Sequence, residues 1–173
     1  KLPVYIIDTG YLFNETHQYI EALSKLFTLK LRIVQPERSA AWQEAIYGKL
    51  WEKGLKGIEK YNEINKIQPL KTAFDKDNIN TWLTGLRRSQ SKSRKSIDFV
   101  SYQNNRIKIN IIADWSDQQI DDYFEKNNLP RHPLVEKGFI SIGDRQLSKS
   151  IFEVDKVEEL RFFGLKRECG LHE

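Results

Sequence analysis

The chain holds one cysteine, no methionine, and no apolar run approaching the ~20 residues that a membrane span requires. A lone cysteine, Cys169, makes no intramolecular disulfide and builds no cysteine-rich metal or iron–sulfur site. It suits a reducing cytosol, so a cytoplasmic setting without membrane association is expected. Lys1-Leu2-Pro3 opens without the charged, apolar and small-residue pattern of a secretory leader. The missing methionine, initiator included, points to a sequence trimmed at its N-terminus. There is no internal repeat and no low-complexity linker. The three histidines, His17, His132 and His172, lack metal-ligand spacing with carboxylates or with the cysteine, so no bound metal is expected.

What remains is an ordinary globular composition. The 173 residues are 39% hydrophobic and 12% aromatic, enough for one domain with a real core. The net charge of +4, from 28 basic and 24 acidic residues, is mild and becomes informative only where it clusters.

Pro3-Val4-Tyr5-Ile6-Ile7 reads as a buried strand that ends in a turn at Asp8-Thr9-Gly10. Ile20, Leu23, Leu26 and Phe27 share one face of a helix over Glu15–Phe27, and Leu29–Val34 follows as a second strand. Strand–helix–strand order predicts a parallel crossover in an α/β sheet. A long helical stretch opens near Ser39, breaks near Gly54 and Gly57, and resumes in pieces up to Phe74. Thr81–Thr84 reads as another buried strand. Phe99–Tyr102 and Ile107–Ile112 form a hairpin across Asn104-Asn105. Ser116 and Gln119 make a capping box ahead of Ile120, Tyr123 and Phe124, and Leu129-Pro130 ends that helix. From about Gly143 the pattern weakens, and a mobile C-terminal tail or lid is expected there. The expected division is an α/β domain over residues 1–142 and a tail over 143–173.

Three places carry candidate chemistry. Arg87, Arg88, Lys92, Arg94 and Lys95 alternate with Ser89, Ser91, Ser93 and Ser96, a set of donors suited to phosphate oxygens. A solvated basic loop and a nucleic-acid footprint are competing readings. The loop's place after a strand favours a ligand, because ligands of open α/β sheets sit at the carboxyl ends of strands. No recognisable nucleic-acid motif accompanies it. Asp8, in the loop with Gly10, reads as a ribose ligand or as the cap of its own turn, and the turn is the commoner use. Cys169 stands in Lys166-Arg167-Glu168-Cys169-Gly170-Leu171-His172, where cations favour a thiolate. A free cysteine is more often a small buried hydrophobe. This one lies in a charged segment with little core to hide in. His17 reads as a surface helix residue and His132 as a loop residue, while His172 draws attention only by its nearness to Cys169.

Taken together, several segments resemble the phosphoadenylyl-sulfate (PAPS) reductase family over nearly the whole chain. They are Asp8-Thr9-Gly10-Tyr11-Leu12-Phe13 with Glu15-Thr16, Ala41-Trp42-Gln43-Glu44-Ala45, Tyr47-Gly48-Lys49-Leu50-Trp51, Gly85-Leu86-Arg87-Arg88 with Gln90-Ser91, Ser141-Ile142-Gly143-Asp144, and the run from Arg161 to His172. The resemblance implies a twisted, mostly parallel sheet flanked by helices, of the adenine-nucleotide α-hydrolase-like (Rossmann-like) kind. It implies that Cys169 attacks the sulfur of the phosphosulfate and carries an S-sulfo group. Thioredoxin or glutaredoxin would then release sulfite, which suits a chain with no second cysteine to resolve the adduct. Members of that family are often homodimers, so a homodimer is the expected assembly, and the missing nucleic-acid motif leaves no nucleic-acid partner expected.

Within this family the cations at the phosphosulfate correspond to Lys66 and Arg94, with Arg87 and Arg88 carried over as part of the same loop. Such fixed charges stabilise a leaving group that gains charge as the bond breaks. Adenylyl-sulfate reductases show a Cys-Cys pair, and a second Cys-x-x-Cys, that hold a four-iron cluster. Here Tyr61-Asn62 stands at the pair's position, which implies the cluster-free branch and a 3′-phosphorylated substrate. Three departures accompany the resemblance. The family's N-terminal strand and phosphate-binding loop are not seen before Lys1. Arg145-Gln146-Leu147-Ser148-Lys149-Ser150 replaces a His/Thr-rich stretch, with Arg145 and Lys149 as candidate phosphate ligands. Phe139 stands where tyrosine is common. A cluster-free adenylyl-sulfate reductase and a non-catalytic nucleotide- or RNA-binding module are the rival readings.

Overall fold

Two parallel strands open the chain in the computed structural model, which describes residues 1–166, 168, 170 and 171. The expected roles of Cys169 and His172 therefore lie outside the described residues. Contacts divide the chain into two compact units, Lys1–Ala73 with His132–Glu173, and Phe74–Arg131. No helix among the described residues is long and apolar enough to cross a membrane.

In the first unit β1 (Pro3–Ile7) pairs in parallel with β2 (Lys30–Val34), in register from Pro3↔Lys30 to Ile7↔Val34. The connection is helix α1 (Asn14–Phe27), which closes at Thr28 in the left-handed conformation (φ +48°). This is the crossover that the sequence pattern predicts. Burial is lighter than expected, because β1 is half-buried along its length and Leu26 and Phe27 stay exposed on α1.

Helix α2 (Ala40–Tyr47) starts where Ser39 Oγ accepts the Trp42 N–H at 3.3 Å, and stops at Gly48 with φ +65°. The predicted break at Gly54 and Gly57 is instead the start and interior of helix α3 (Gly54–Asn62). A π turn (Glu63–Ile67) joins α3 without interruption to helix α4 (Gln68–Lys76). Gly57 serves packing, since a Cβ there would lie 2.1 Å from the Leu50 carbonyl oxygen. The core of this unit gathers Tyr11, Leu50, Trp51, Ile58, Tyr61, Leu147 and Phe162. The rings of Tyr11, Trp51 and Tyr61 stand edge to face or tilted, with centres 5.0–5.9 Å apart. Such pairs add about 0.5–1.5 kcal/mol each beyond area burial.

Residues 143–164 contribute to the first unit. Asp144, Leu147, Leu160 and Phe162 are all buried, and the segment is grouped with that unit. Its apolar side chains are few and widely spaced, so their burial left no periodic signal in the sequence. His132 anchors the chain's return into this unit. Its Nδ1 accepts the Leu134 N–H at 3.2 Å, which places the proton on Nε2, 2.9 Å from Thr16 Oγ1 on α1.

In the second unit β3 (Thr81–Thr84) lies parallel to β5 (Arg106–Asn110), and β4 (Val100–Gln103) joins β5 antiparallel. Asn104 and Asn105 turn the hairpin with φ +51° and +59°, the left-handed pair that a two-residue turn requires. Among the described residues the paired strands run in the orders β1-β2 and β3-β5-β4. Among the described residues β3 pairs on one side alone, with β5, and its residues alternate between exposed and half-buried. Helix α5 (Asp117–Lys126) carries the predicted capping box, with Gln119 N–H to Ser116 Oγ at 3.2 Å and Ser116 N–H to Gln119 Oε1 at 2.8 Å.

Two predictions follow from this packing. Gly57→Ala should lower the unfolding free energy by about 1–3 kcal/mol, the scale of overpacking, seen as a lower urea midpoint, whereas Gly85→Ala, with only the Ile112 Cδ1 at 3.8 Å, should leave the midpoint nearly unchanged. Equal midpoints for the two variants would contradict the close approach at Gly57. Burial depresses the His132 pKa, with Glu15 opposing it, so the folded state favours the neutral ring. Below the ordinary value of about 6.5 the unfolded chain binds the extra proton, and stability falls with pH. His132→Asn keeps a cap acceptor and removes the titration. Its stability should drop less between pH 7.5 and pH 5.5 (about one unit either side of that value) than the parent's, as read by urea unfolding.

Candidate functional site

A buried lysine defines the site of the first unit. Lys66 sits in the π turn, whose wider winding carries the Gln68 N–H back to the Glu63 carbonyl. On the same stretch Asn65 is fixed by paired amide bonds to Gln43, both 2.9 Å, and by its Nδ2–H to the Tyr61 carbonyl at 3.0 Å. Gln43 in turn donates to the Arg38 carbonyl at 2.8 Å. The lysine side chain is 9% exposed, and its Nζ stands 2.6 Å from Asp144 Oδ2, on a carboxylate that is 1% exposed. The contact is an ion pair off the direction of a hydrogen bond, and the rings of Tyr61 and Phe162 lie 5.6 and 5.5 Å from the ammonium.

Asp144 is itself held. Thr9 Oγ1 donates to Asp144 Oδ1 at 2.5 Å and accepts the Tyr11 N–H at 3.2 Å. The backbone of the two segments is joined by a Leu12↔Asp144 bridge and by Arg145 N–H to the Tyr11 carbonyl at 2.9 Å. Gln146 Nε2 donates to the Tyr61 hydroxyl at 3.3 Å. Burial, and then the Asp144 charge, push the Tyr61 phenol far above its ordinary range, so it serves as a neutral partner. Asn62 is buried, and its side-chain amide makes no hydrogen bond among the described residues.

Asp8 caps its own turn. Its Oδ1 accepts the Gly10 N–H at 3.0 Å and its Oδ2 accepts the Gln35 amide at 3.1 Å, with His17 Nε2 at 3.4 Å. Burial alone would raise the carboxyl, but these donors and His17 hold it below its ordinary value. Gly10 has φ +78°, and a Cβ there would press on Ala40 Cβ at 3.2 Å, so the loop passes close against the start of α2. Arg145 is exposed and Lys149 half-buried, its N–H bonded to the Leu160 carbonyl at 3.0 Å.

In the second unit the arginines are already engaged. Arg87 Nη1 donates to Asp117 Oδ1 at 2.6 Å and to Ser89 Oγ at 2.9 Å. Arg88 donates through Nε and Nη2 to the Ile97 carbonyl at 2.9 and 2.6 Å, and pairs with Asp114. Arg94 Nη1 donates to Gln90 Oε1. Both acid partners are largely exposed, whereas the Arg87 and Arg88 side chains are 13% and 33% exposed.

Of the residues singled out in the sequence, the structure thus sets Asp8, Gly10, Lys66, Arg145 and Lys149 in the first unit and Arg87, Arg88 and Arg94 in the second. Sequence reading missed Asp144, Thr9, Tyr61 and Phe162 as the surroundings of Lys66. The signal available was the Gly143-Asp144 motif, whose acid was left without a partner until the fold supplied Lys66. Among the described residues no cluster of histidine, cysteine or acidic side chains has the grouping of a metal site.

Comparison with known proteins gives this geometry its context. The phosphoadenosine phosphosulfate reductase domain matches residues 1–150. The chain is 49% identical over 172 residues to a phosphoadenosine 5′-phosphosulfate reductase of Vibrio cholerae, covering 99% of this chain and 68% of that one. A phosphoadenosine 5′-phosphosulfate reductase of Buchnera aphidicola is 51% identical over 172 residues, 99% of this chain and 70% of its own. The crystal structure of phosphoadenylyl-sulfate reductase from Candida auris, a phosphate complex, superposes with a TM-score of 0.72 at 27% identity, covering 84% of this chain and 71% of that one. An FMN adenylyltransferase of Candida glabrata shares the fold alone, with a TM-score of 0.65 at 16% identity over 91% of this chain and 49% of its own. The chain belongs to the phosphoadenosine phosphosulfate reductase family.

Proposed function

We propose that the protein reduces 3′-phosphoadenylyl sulfate to sulfite and adenosine 3′,5′-bisphosphate, in sulfate assimilation towards cysteine, with Cys169 as nucleophile. The observation that carries this reading is identity near one half across 99% of the chain with relatives bearing the reductase name. The Cys169 thiolate attacks the sulfur of the phosphosulfate. An S–S bond forms, the S–O bond to phosphate breaks, and its electron pair leaves on the bisphosphate. A dithiol protein, thioredoxin or glutaredoxin, then attacks Sγ and sulfite departs with the bonding pair. The second thiol of the donor closes its disulfide and frees Cys169, so two electrons have passed to sulfur.

Lys66 and Arg94, with Arg87 and Arg88, serve as the cations that meet the phosphosulfate, and Arg145 and Lys149 as further phosphate ligands. Asp8 and Gly10 shape the loop on the nucleotide side, and His172 accompanies the cysteine. The reading takes the enzyme as cluster-free. Supporting this, Tyr61, at the position where cluster-bearing relatives would carry a cysteine, packs against Tyr11 and Trp51. It also takes the protein as a cytoplasmic homodimer that binds neither membrane nor nucleic acid.

The full-length protein, incubated with 3′-phosphoadenylyl sulfate and no reductant, should gain the mass of one sulfonate on Cys169, and reduced thioredoxin should remove it. Cys169→Ser should form no adduct and release no sulfite, yet bind adenosine 3′,5′-bisphosphate as the parent does. Sulfite release that survives this substitution would sink the nucleophile assignment.

A further inference from the structure

We infer that Asp144 is the positioning residue of the Lys66 ammonium, with Thr9 fixing the carboxylate, so that one face of the cation is retained by the protein and the rest is presented to the anionic substrate. The inference rests on the reading of Lys66 as a ligand of the phosphosulfate.

A lysine ammonium is a compact charge on a four-carbon stem with freely rotating donors, and it has no built-in direction. Direction must come from its surroundings. Here the Tyr61 and Phe162 rings stand 5.6 and 5.5 Å from Nζ, and Asp144 Oδ2 faces it at 2.6 Å. The carboxylate draws its own position from backbone that is tied down. Thr9 Oγ1 uses its proton on Asp144 Oδ1 and its lone pair on the Tyr11 N–H, so the hydroxyl is oriented from both sides. The Leu12↔Asp144 bridge and the bond from Arg145 N–H to the Tyr11 carbonyl hold the acid's backbone against the same loop. On the other flank a Cβ at Gly143 would meet Arg161 Nη2 at 2.2 Å, so the guanidinium seals that side of the chain.

The electrostatics argue against a device for affinity alone. A carboxylate beside an anion site repels the incoming charge, and removing both ions from water is costly unless the geometry is fixed. A pair placed there opposes binding on charge and assists it only through orientation. The arrangement also couples two parts of the chain. Thr9 belongs to the loop after β1 and Asp144 to the segment that leads towards Cys169, so the cation is set only when both are docked.

The test is equilibrium binding of 3′-phosphoadenylyl sulfate by calorimetry, with the full-length protein carrying Cys169→Ser to prevent turnover. Asp144→Asn should weaken binding about tenfold, and Thr9→Val should weaken it in the same direction, while Thr9→Ser restores the parent affinity. Lys66→Ala should weaken binding as well, and adding Asp144→Asn to it should change nothing further, because a positioning group has nothing left to position. If Asp144→Asn weakens binding by the same factor with and without Lys66, the acid's role is only structural and the inference is overturned. Unchanged or tighter binding in Asp144→Asn overturns it equally. If Lys66→Ala itself leaves binding unchanged, the reading of Lys66 as a ligand fails, and the inference with it. Should Asp144→Asn not fold, the Thr9→Val and Thr9→Ser pair decides, and equal affinities for the two reject the inference.

Discussion

The contact between Lys66 and Asp144 is the constraint around which the first unit is arranged. Both groups are almost wholly withdrawn from water, and the ions stand 2.6 Å apart. Removing one partner of such a pair typically costs about 3–5 kcal/mol, because the other charge stays buried and uncompensated. Three stretches distant in sequence must therefore meet: the loop after β1 through Thr9, the π turn through Lys66, and the segment after Gly143 through Asp144. The π turn belongs to the same requirement. Its wider winding brings Lys66 back towards the face of Tyr61, five residues earlier, whereas in a regular helix the two would lie about 140° apart.

The two groups of cations are held on opposite terms. Lys66 is enclosed by rings and a buried acid, which gives it a fixed place and makes its surroundings costly to change. Arg87 and Arg88 lean on Asp117 and Asp114, acids that keep most of their contact with solvent. Water screens the acid side of those pairs.

The departures from the family's pattern acquire a physical form. Phe139 is no isolated loss of a hydroxyl, since its ring stands edge-on to Phe13 with centres 5.3 Å apart. Tyr61 closes an aromatic cluster with Tyr11 and Trp51, and its hydroxyl meets Gln146. Arg145 lies exposed at the surface, while its neighbours Asp144 and Leu147 are buried.

What the sequence determined by itself was local. The β1–α1–β2 order, the hairpin at Asn104-Asn105 and the capping box of Ser116 and Gln119 are legible because short-range sterics and hydrogen bonds set them. The motifs carrying Lys66, Arg87, Arg88 and Cys169 were legible as text for the same reason: adjacency is recorded in the chain. Packing decided the rest. Gly57 read as a breaker, and only the Leu50 carbonyl at 2.1 Å from its absent Cβ shows it as a point of close contact. Leu147 and Phe162 carried no period in the sequence, because a few apolar side chains in irregular backbone leave none, and the fold places them in the core. Asp144 was one acid in a motif until the tertiary structure brought Lys66 and Thr9 to its two oxygens. No local rule records which of the chain's 28 basic residues a buried carboxylate will meet, since that choice is made by desolvation across long sequence separations.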